Sequence, residues 1–559
     1  MLRLFKEHEV RSVTELDGLW DLRVQGKEKK YRVPVPAVWE QHPELLTYRG
    51  VGTYERTVRT EEKGTLRFFF EGVSHTADVY LDGQKLAHHY NAYTPFEAVA
   101  YDTEPGEHRL TVVADNRFSE ASALHRQNDY YTYGGIVRPV SVEVLPALSV
   151  KNIHFTPLGG DEKSYRGKIE VTLRNLGKRA AKAELKLELS GTEKTEAELI
   201  EALPVSVKAG EELTVTTEAE FKKIRLWCPE DPALYLLSAV LYQSGKSVDD
   251  LITRIGFRTV SWNSTGLKLN GKPVFLKGFN RHEDYAISGC SVPFNLMVQD
   301  VELLKDLGAN AVRTCHYPND ERFLDLCDEY GLLVWEENHA RGLSIDVMKN
   351  PNFDRQCKDC IDEMIAYHYN HPAIVIWGLL NECASDDPVG REKYGMQYAQ
   401  VRALDRSRPV TSATCRHFTD ICLDYPDLVS VNIYTGWYSE GSVKGEWKKE
   451  CDWIQTTGGR DKPRIVSEFG AGAIYGYHTM NRVKWSEEAQ ADILEKQLKV
   501  YLNDPTVTGV FIWMFADTRI TDGWWNTRPK TENNKGVVDE FRRPKLAYET
   551  VKKLFRKKG

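Results

Sequence analysis

Two tracts of short alternating strands, followed by eight strand–helix units, predict a multidomain chain. Its parts are an N-terminal jelly-roll sandwich, a second β-sandwich and a C-terminal (β/α)8 TIM barrel. The chain has 559 residues, 41% of them hydrophobic, too many for one core, so three or four domains are expected. In the first part, Leu66–Glu71, Thr76–Leu81 and Arg109–Ala114 alternate as strands between turns such as Asp82-Gly83 and Pro105-Gly106. No helical period interrupts them, and residues 1–147 are assigned to the jelly roll. Within it, Tyr130-Tyr131-Thr132-Tyr133-Gly134-Gly135 forms an aromatic, glycine-punctuated loop.

Residues 148–260 repeat the pattern with longer strands. Ile153–Pro157, Gly167–Leu173, Ala183–Leu189, Glu212–Glu218 and Tyr235–Tyr242 have sandwich spacing and a dense Lys/Glu surface, which suits a spacer. From 261 to 559 the pattern changes. Eight apolar runs appear: Val274–Gly278, Ala309–Thr314, Leu332–Glu336, Ile374–Leu380, Val410–Thr414, Leu428–Ile433, Arg464–Ser467 and Gly509–Phe515. Helical patterns such as Leu296–Leu307, Asp320–Tyr330, Phe353–Tyr369 and Glu487–Leu502 lie between them. Continuous apolar runs are what strands buried on both faces require, and Ile374–Trp377 fits well.

Composition excludes several classes. With 74 Lys and Arg against 81 Asp and Glu, the net charge of −7 leaves no basic footprint for nucleic acid. No apolar stretch is long enough to span a membrane, and Met1–Val10 lacks an apolar signal core. All ten cysteines lie at or after Cys228 and read as reduced, buried thiols of a cytoplasmic protein. Cys357 and Cys360 form a CxxC without a second pair at metal spacing, so they read as ordinary helical thiols. The 13 Trp, 27 Tyr and 20 Phe fit either large β cores or stacking on sugar rings.

Chemistry in a barrel sits at the C-terminal ends of its strands. There the sequence places Asn280-Arg281-His282-Glu283-Asp284, then Arg313 and His316-Tyr317-Pro318, then Glu336, Glu337 and Asn338. Asn381-Glu382 follow, then Asn432, Tyr434 and Tyr438, then Glu468, and Trp513 on the last run. Ionisable groups are costly to bury unpaired, so a rim this rich in them points to function. A lone strand-end Glu is most often the partner of a structural Arg or Lys. Two of them, Glu382 and Glu468, are also the minimum for glycoside hydrolysis, one to protonate the leaving oxygen and one to attack or to activate water. The acid is expected to have a raised pKa, from an apolar setting and a negative neighbour. Asn381 is placed to bond a sugar 2-hydroxyl.

With Gly278–Asp284, Arg313–Pro318, Asn381-Glu382 and Ser467-Glu468-Phe469-Gly470 together, the chain resembles glycoside hydrolase family 2 along its whole length. The resemblance implies a sugar-binding jelly roll, an immunoglobulin-like β-sandwich and a catalytic barrel that works by a retaining double displacement. It makes Glu382 the acid/base and Glu468 the nucleophile. Asn432-Ile433-Tyr434-Thr435-Gly436-Trp437-Tyr438 is similar to the family's glucuronidase segment and implies substrate contacts from Asn432, Tyr434 and Tyr438. Asn533-Asn534-Lys535-Gly536 matches its uronate-binding N-x-K-G motif and implies that Asn533 and Lys535 hold a sugar carboxylate. Arg528 and Lys530 stand upstream as further cations. The substrates implied are small-molecule or oligosaccharide glucuronides, with no cofactor, no essential metal and a homodimeric or homotetrameric assembly. The segment between His316 and Glu382 is short, which implies an open site for large aglycones. Asn152 falls where relatives place an Asp that reaches the far hydroxyls of the sugar, which opens the preference at C4. The alternatives are a β-galactosidase or β-galacturonidase of the same family, or a non-catalytic carbohydrate-binding protein.

Overall fold

A computed structural model describes residues 2–192 and 197–557. The first body is a jelly-roll sandwich. Its four-stranded sheet is Ser12–Glu15, Val140–Leu145, Gly64–Phe70 and Phe96–Thr103. Facing it are six strands in the order Lys30–Val35, Gly18–Val24, Val51–Thr60, Gly106–Asp115, Thr76–Leu81 and Gln84–Tyr90. Alternation along these strands sends Trp20, Leu22, Leu66, Phe68 and Phe70 into one core. The second body is an immunoglobulin-like sandwich of three strands on four. Its strand Leu148–Gly160 is broken by a bulge between Val150 and Asn152.

The third body is a TIM barrel. Its elements are β1 (Leu276–Asn280), α1 (Phe294–Asp306), β2 (Ala311–Thr314), α2 (Glu321–Tyr330), β3 (Leu333–Glu337), α3 (Phe353–His368), β4 (Ile374–Gly378) and α4 (Pro388–Leu404). They continue with β5 (two pieces, Val410–Thr411 and Ala413–Thr414), β6 (Val429–Asn432), α5 (Val443–Ile454), β7 (Arg464–Phe469), α6 (Glu487–Tyr501), β8 (Val507–Ile512) and α7 (Leu546–Lys557). The parallel ladder runs from one piece of β5 through β4, β3, β2, β1, β8, β7 and β6 to the other piece, so the barrel closes at β5. Every residue of β2, β3, β4, β6, β7 and β8 is buried, which is why those runs are apolar without alternation.

One unit departs from the expected eight. Between β5 and β6 no helix forms among the described residues, and a turn-rich loop crosses instead. Helix starts elsewhere are set by side chains that accept from free backbone N–H groups: Asp320 for α2, Asp387 for α4, Ser442 for α5 and Ser486 for α6. Cys357 and Cys360 lie on α3 as buried thiols, and all ten cysteines are free.

Candidate active site

The strand ends converge on a cleft with the two glutamates on opposite sides. Glu468 lies in β7 and is buried. Its Oε1 accepts from Arg313 Nη1 at 2.9 Å and its Oε2 from the Tyr434 hydroxyl at 2.8 Å. Glu382, just beyond β4, has φ +53, a left-handed backbone that a non-glycine residue adopts at a cost. Its N–H is tied to the Ala413 carbonyl at 2.9 Å, which fixes the turn against the split β5. Its Oε1 accepts from Asn432 Nδ2 at 2.9 Å.

Between the glutamates runs a chain of amides and one guanidinium. Asn381 Oδ1 accepts from Arg313 Nη2 at 2.8 Å and from Asn432 Nδ2 at 3.2 Å. This leaves Asn381 Nδ2 buried without a partner, a donor held ready for a ligand. Asn432 in turn accepts from the Ser467 hydroxyl at 2.7 Å. Arg313 is clamped by Glu337 through two bonds of 2.7 and 3.0 Å. His316 bonds Glu337 through Nδ1 at 2.8 Å, with its Nε2 3.9 Å from Glu468 Oε1. Trp513 stacks on the His316 ring at 5.2 Å.

Burial, and then the facing Glu382 carboxylate, push Glu468 up to about 8 against the pull of Arg313 and Arg341. Glu468 is the deeper of the two groups, its side chain 4% exposed against 18% for Glu382.

Lys535 and Asn533 lie on the far side of Tyr434. Lys535 is buried, its Nζ 3.4 Å from Asn533 Oδ1, and 5.9 and 5.1 Å from the ring centres of Tyr434 and Tyr438. Burial, with Arg528 adding to it, lowers the Lys535 ammonium to about 7. Arg528 donates to the Tyr438 hydroxyl at 3.1 Å, beside that lysine. Lys530 is not part of this group, because its ammonium pairs with Glu540 at 2.9 Å and Glu532 at 3.2 Å.

Asn152 is not brought to the cleft. It lies on the flank of the barrel, where its Nδ2 meets His154 Nε2 at 2.8 Å and the Ala366 carbonyl of α3 at 3.4 Å. The strand carrying it packs against α3, where Asn152 and His154 both meet the Ala366 carbonyl. The acceptor at the far side is Asp129, from the aromatic loop of the first domain. Asp129 Oδ2 accepts from Asn533 Nδ2 at 3.2 Å, and its Oδ1 pairs with Arg341 at 3.0 Å. Arg341 also lies 3.7 Å from Glu382 Oε2. Burial opposes the Asp129 charge, but Arg341 and Lys535 outweigh it and hold the carboxyl below its usual range. The Asn-Asp pair opening the tract Tyr130–Gly135 was the available sequence signal for Asp129. Arg341 had none beyond its place after β3.

His282, Cys315 and His316 bring three possible metal donors within 4.8 Å of one another. Tyr317 and Glu337 already bond the two imidazoles at 3.2 and 2.8 Å, and Arg313 lies 3.4 Å from His316. A guanidinium so close opposes a cation there.

A TIM barrel whose rim carries two carboxylates across an amide-lined cleft, capped by a jelly-roll loop, is the layout of a glycosidase. Residues 9–146 match the glycosyl hydrolases family 2 sugar binding domain, 148–258 match glycosyl hydrolases family 2, and 260–558 match its TIM barrel domain. The chain belongs to glycosyl hydrolases family 2 and is a glycosidase. Its structure is similar to that of a GH2 β-galacturonidase from Eisenbergiella tayi bound to galacturonate. The two have a TM-score of 0.96 and 48% sequence identity, covering 100% of this chain and 99% of that one. Among sequence relatives, a Bacteroides fragilis β-glucuronidase is 30% identical across 95% of this chain and 79% of its own length. A Paenibacillus borealis β-glucuronidase is 28% identical across 97% and 96%.

Proposed function

We propose that the protein is a retaining hydrolase that removes terminal β-D-glucuronic acid from small-molecule or oligosaccharide glucuronides. The observation that carries this reading is the pairing of Lys535 and Asn533 across Tyr434 from Glu468. A buried ammonium and an amide are the donors a uronate carboxylate needs, one aromatic ring away from the group that attacks C1.

The steps follow from the bonding. Glu468, held by Arg313 and Tyr434, attacks the anomeric carbon as a carboxylate, and the bond from C1 to the leaving oxygen breaks. Glu382 gives that oxygen its proton. Its Oε1 accepts from Asn432, and its Oε2 lies 3.7 Å from Arg341. Glu382 then takes a proton from water, whose oxygen attacks C1 and frees Glu468. Asn381, through its unpartnered Nδ2, bonds the 2-hydroxyl. Azide separates the two roles. Glu382→Gln should lose roughly 10²–10⁴-fold on poor leaving groups and regain turnover with azide as β-glycosyl azide. Glu468→Gln should be inactive, with azide giving at most the α-azide. An inverted first-formed sugar from the parent enzyme would refute retention.

A second reading, β-galacturonide hydrolysis, is favoured by the 48% identity to the structure solved with galacturonate. The two sugars differ only at C4, next to the carbon that bears the carboxylate. Asp129, tied to Asn533, is the acceptor beside that position, and Arg341 fixes its orientation. The kcat/KM ratio for the 4-nitrophenyl β-glucuronide and β-galacturonide decides between them, with the β-galactoside as the uncharged control. The ten free thiols support a reducing, cytoplasmic setting. A homodimer or homotetramer is the assembly that the family likeness supports, and sedimentation tests it.

A further inference from the structure

We infer that the junction of the three domains is a second ligand site, outside the catalytic cleft, which takes a small organic ammonium ion on the Glu71 carboxylate. A cavity of about 330 Å³ opens there. The jelly roll lines it with Phe69 and Glu71, the second sandwich with Ile153 and Leu251, and α3 of the barrel with Tyr367. Period two along Gly64–Phe70 explains the first wall. Leu66, Phe68 and Phe70 enter the jelly-roll core, while Arg67 and Phe69 face out of it. Glu71 continues the outward series just past the strand.

Glu71 is 7% exposed, and its carboxylate has no hydrogen-bond or ion-pair partner among the described residues. The cations around it are already engaged. Arg3 pairs with Asp325 at 2.8 Å and Glu321 at 3.1 Å, and Glu7 lies 3.5 Å from the same guanidinium. At the start of α2, Arg322 pairs with Asp320 at 2.6 Å. Farther round the cavity, Arg67 pairs with Glu97 at 2.7 Å, Arg11 with Asp249 at 2.8 Å and Lys151 with Glu212 at 2.7 Å. A buried carboxylate left unpaired in this way is costly. Burial, and then Glu321, Asp320 and Glu7, push the Glu71 carboxyl well above its usual range against the pull of Arg3, so it keeps its proton until a cation takes its place.

The walls select the cation. Among the described residues, no three ligating side chains of this cavity converge closely enough to share one metal ion, and a hard ion such as calcium wants about six or more oxygens. An ammonium needs less: one carboxylate, and a neutral acceptor such as the Tyr367 hydroxyl, which has no hydrogen bond among the described residues. The Tyr367 ring leans on Phe69 at 5.4 Å, and the other face-on contact of Phe69 is taken by Arg67 at 4.4 Å. Ile153, Leu251 and the Tyr367 ring leave an apolar wall for the body of the ligand. Sites for small ligands start at roughly 300 Å³, so this one suits a single ring and its ammonium. The exchange balances: the ammonium enters with its charge, the Glu71 proton leaves to solvent, and the buried net charge is unchanged. Glu71 N–H bonds the Pro139 carbonyl at 3.0 Å, beside Arg138, whose guanidinium reaches Glu283 of the barrel at 2.7 Å. A ligand on Glu71 therefore fastens the jelly roll to the barrel.

The probe is benzylammonium, with benzyl alcohol as the uncharged counterpart and calcium chloride as the inorganic cation. Titration calorimetry on the full chain should show one benzylammonium bound with a Kd of roughly millimolar order at pH 7. Affinity should fall about tenfold per pH unit toward acid, with proton release approaching one per ammonium, read from buffers of different ionisation enthalpy. Glu71→Gln keeps the shape of the side chain and should weaken binding at least tenfold, and benzyl alcohol should not compete. Equal affinity in Glu71→Gln overturns the site, and so does binding to the parent without proton release, a measurement that needs no variant. Displacement of benzylammonium by calcium at matched ionic strength would make the occupant a metal ion and overturn the ammonium assignment. Competitive inhibition of glycoside hydrolysis with the same constant would put the ammonium in the catalytic cleft and overturn the second site.

Discussion

Glu468 keeps its proton until about pH 8, because burial and the opposing Glu382 carboxylate disfavour its negative charge. A carboxyl raised above its usual value loses its proton late, and Glu468 attacks only as the carboxylate. The kcat/KM for a uronide should therefore rise as pH rises toward about 8. In Glu382→Gln the neighbouring charge is gone, so in the azide-rescued reaction this rise should move to lower pH. A rise unchanged in the variant would assign it to another group. Lys535 gives a second, separable dependence. Its ammonium is lowered to about 7, so it is charged below that pH and neutral above it. Inhibition by free uronate should tighten roughly tenfold from pH 8 to pH 6 through this group. Lys535→Met should abolish that part of the dependence and lower uronide kcat/KM by about 10²-fold or more, while sparing any galactoside turnover.

Among the elements, β7 and β8 show what a short motif encodes. Gly470 follows Glu468 and Phe469 with φ +150, and a Cβ there would lie 2.4 Å from the Trp513 carbonyl oxygen. The glycine lets the end of β7 approach the end of β8, which sets Glu468 against Trp513 and His316. Gly470→Ala should cost about 1–3 kcal/mol in unfolding by denaturant and lower kcat by a larger factor than stability alone explains. Strands such as β4 and β7 were legible because burial on both faces writes a continuous apolar run, and the strand-end glutamates follow from counting such runs. The missing helix after β5 was not legible. Val410–Thr414 looks like its neighbours, and a turn-rich connection leaves no periodic signature. Asn152 was misplaced because a motif aligned by sequence cannot show that its strand packs on α3. Asp129 was missed because a residue supplied by another domain carries no mark of the cleft it enters.

Across the whole molecule, the catalytic barrel is incomplete without the jelly roll. Asp129 reaches Asn533 and Arg341, and the Tyr130 hydroxyl lies 3.2 Å from His339 Nε2. What holds that loop is a buried seam. Tyr93 stacks on Tyr317 at 3.8 Å, Tyr133 donates to Asp284 at 2.9 Å, and Arg138 donates to Glu283 at 2.7 Å and to the carbonyls of Tyr93 and Pro318 at 2.8 Å each. Arg138 and Glu283 are both almost wholly inaccessible, so removing the arginine strands a buried carboxylate. Arg138→Met should cost about 3–5 kcal/mol, felt at the seam more than in the barrel core. In a urea titration of that variant, activity should disappear in a first transition, before the barrel tryptophans report unfolding. Asp129→Ala makes the complementary case. It removes one acceptor from the sugar site and a partner of the buried Arg341, so it should lower kcat/KM by more than its loss of stability explains. Coincident loss of activity and barrel fluorescence in Arg138→Met would mean that the domains unfold as one unit and that the seam is not the weak point.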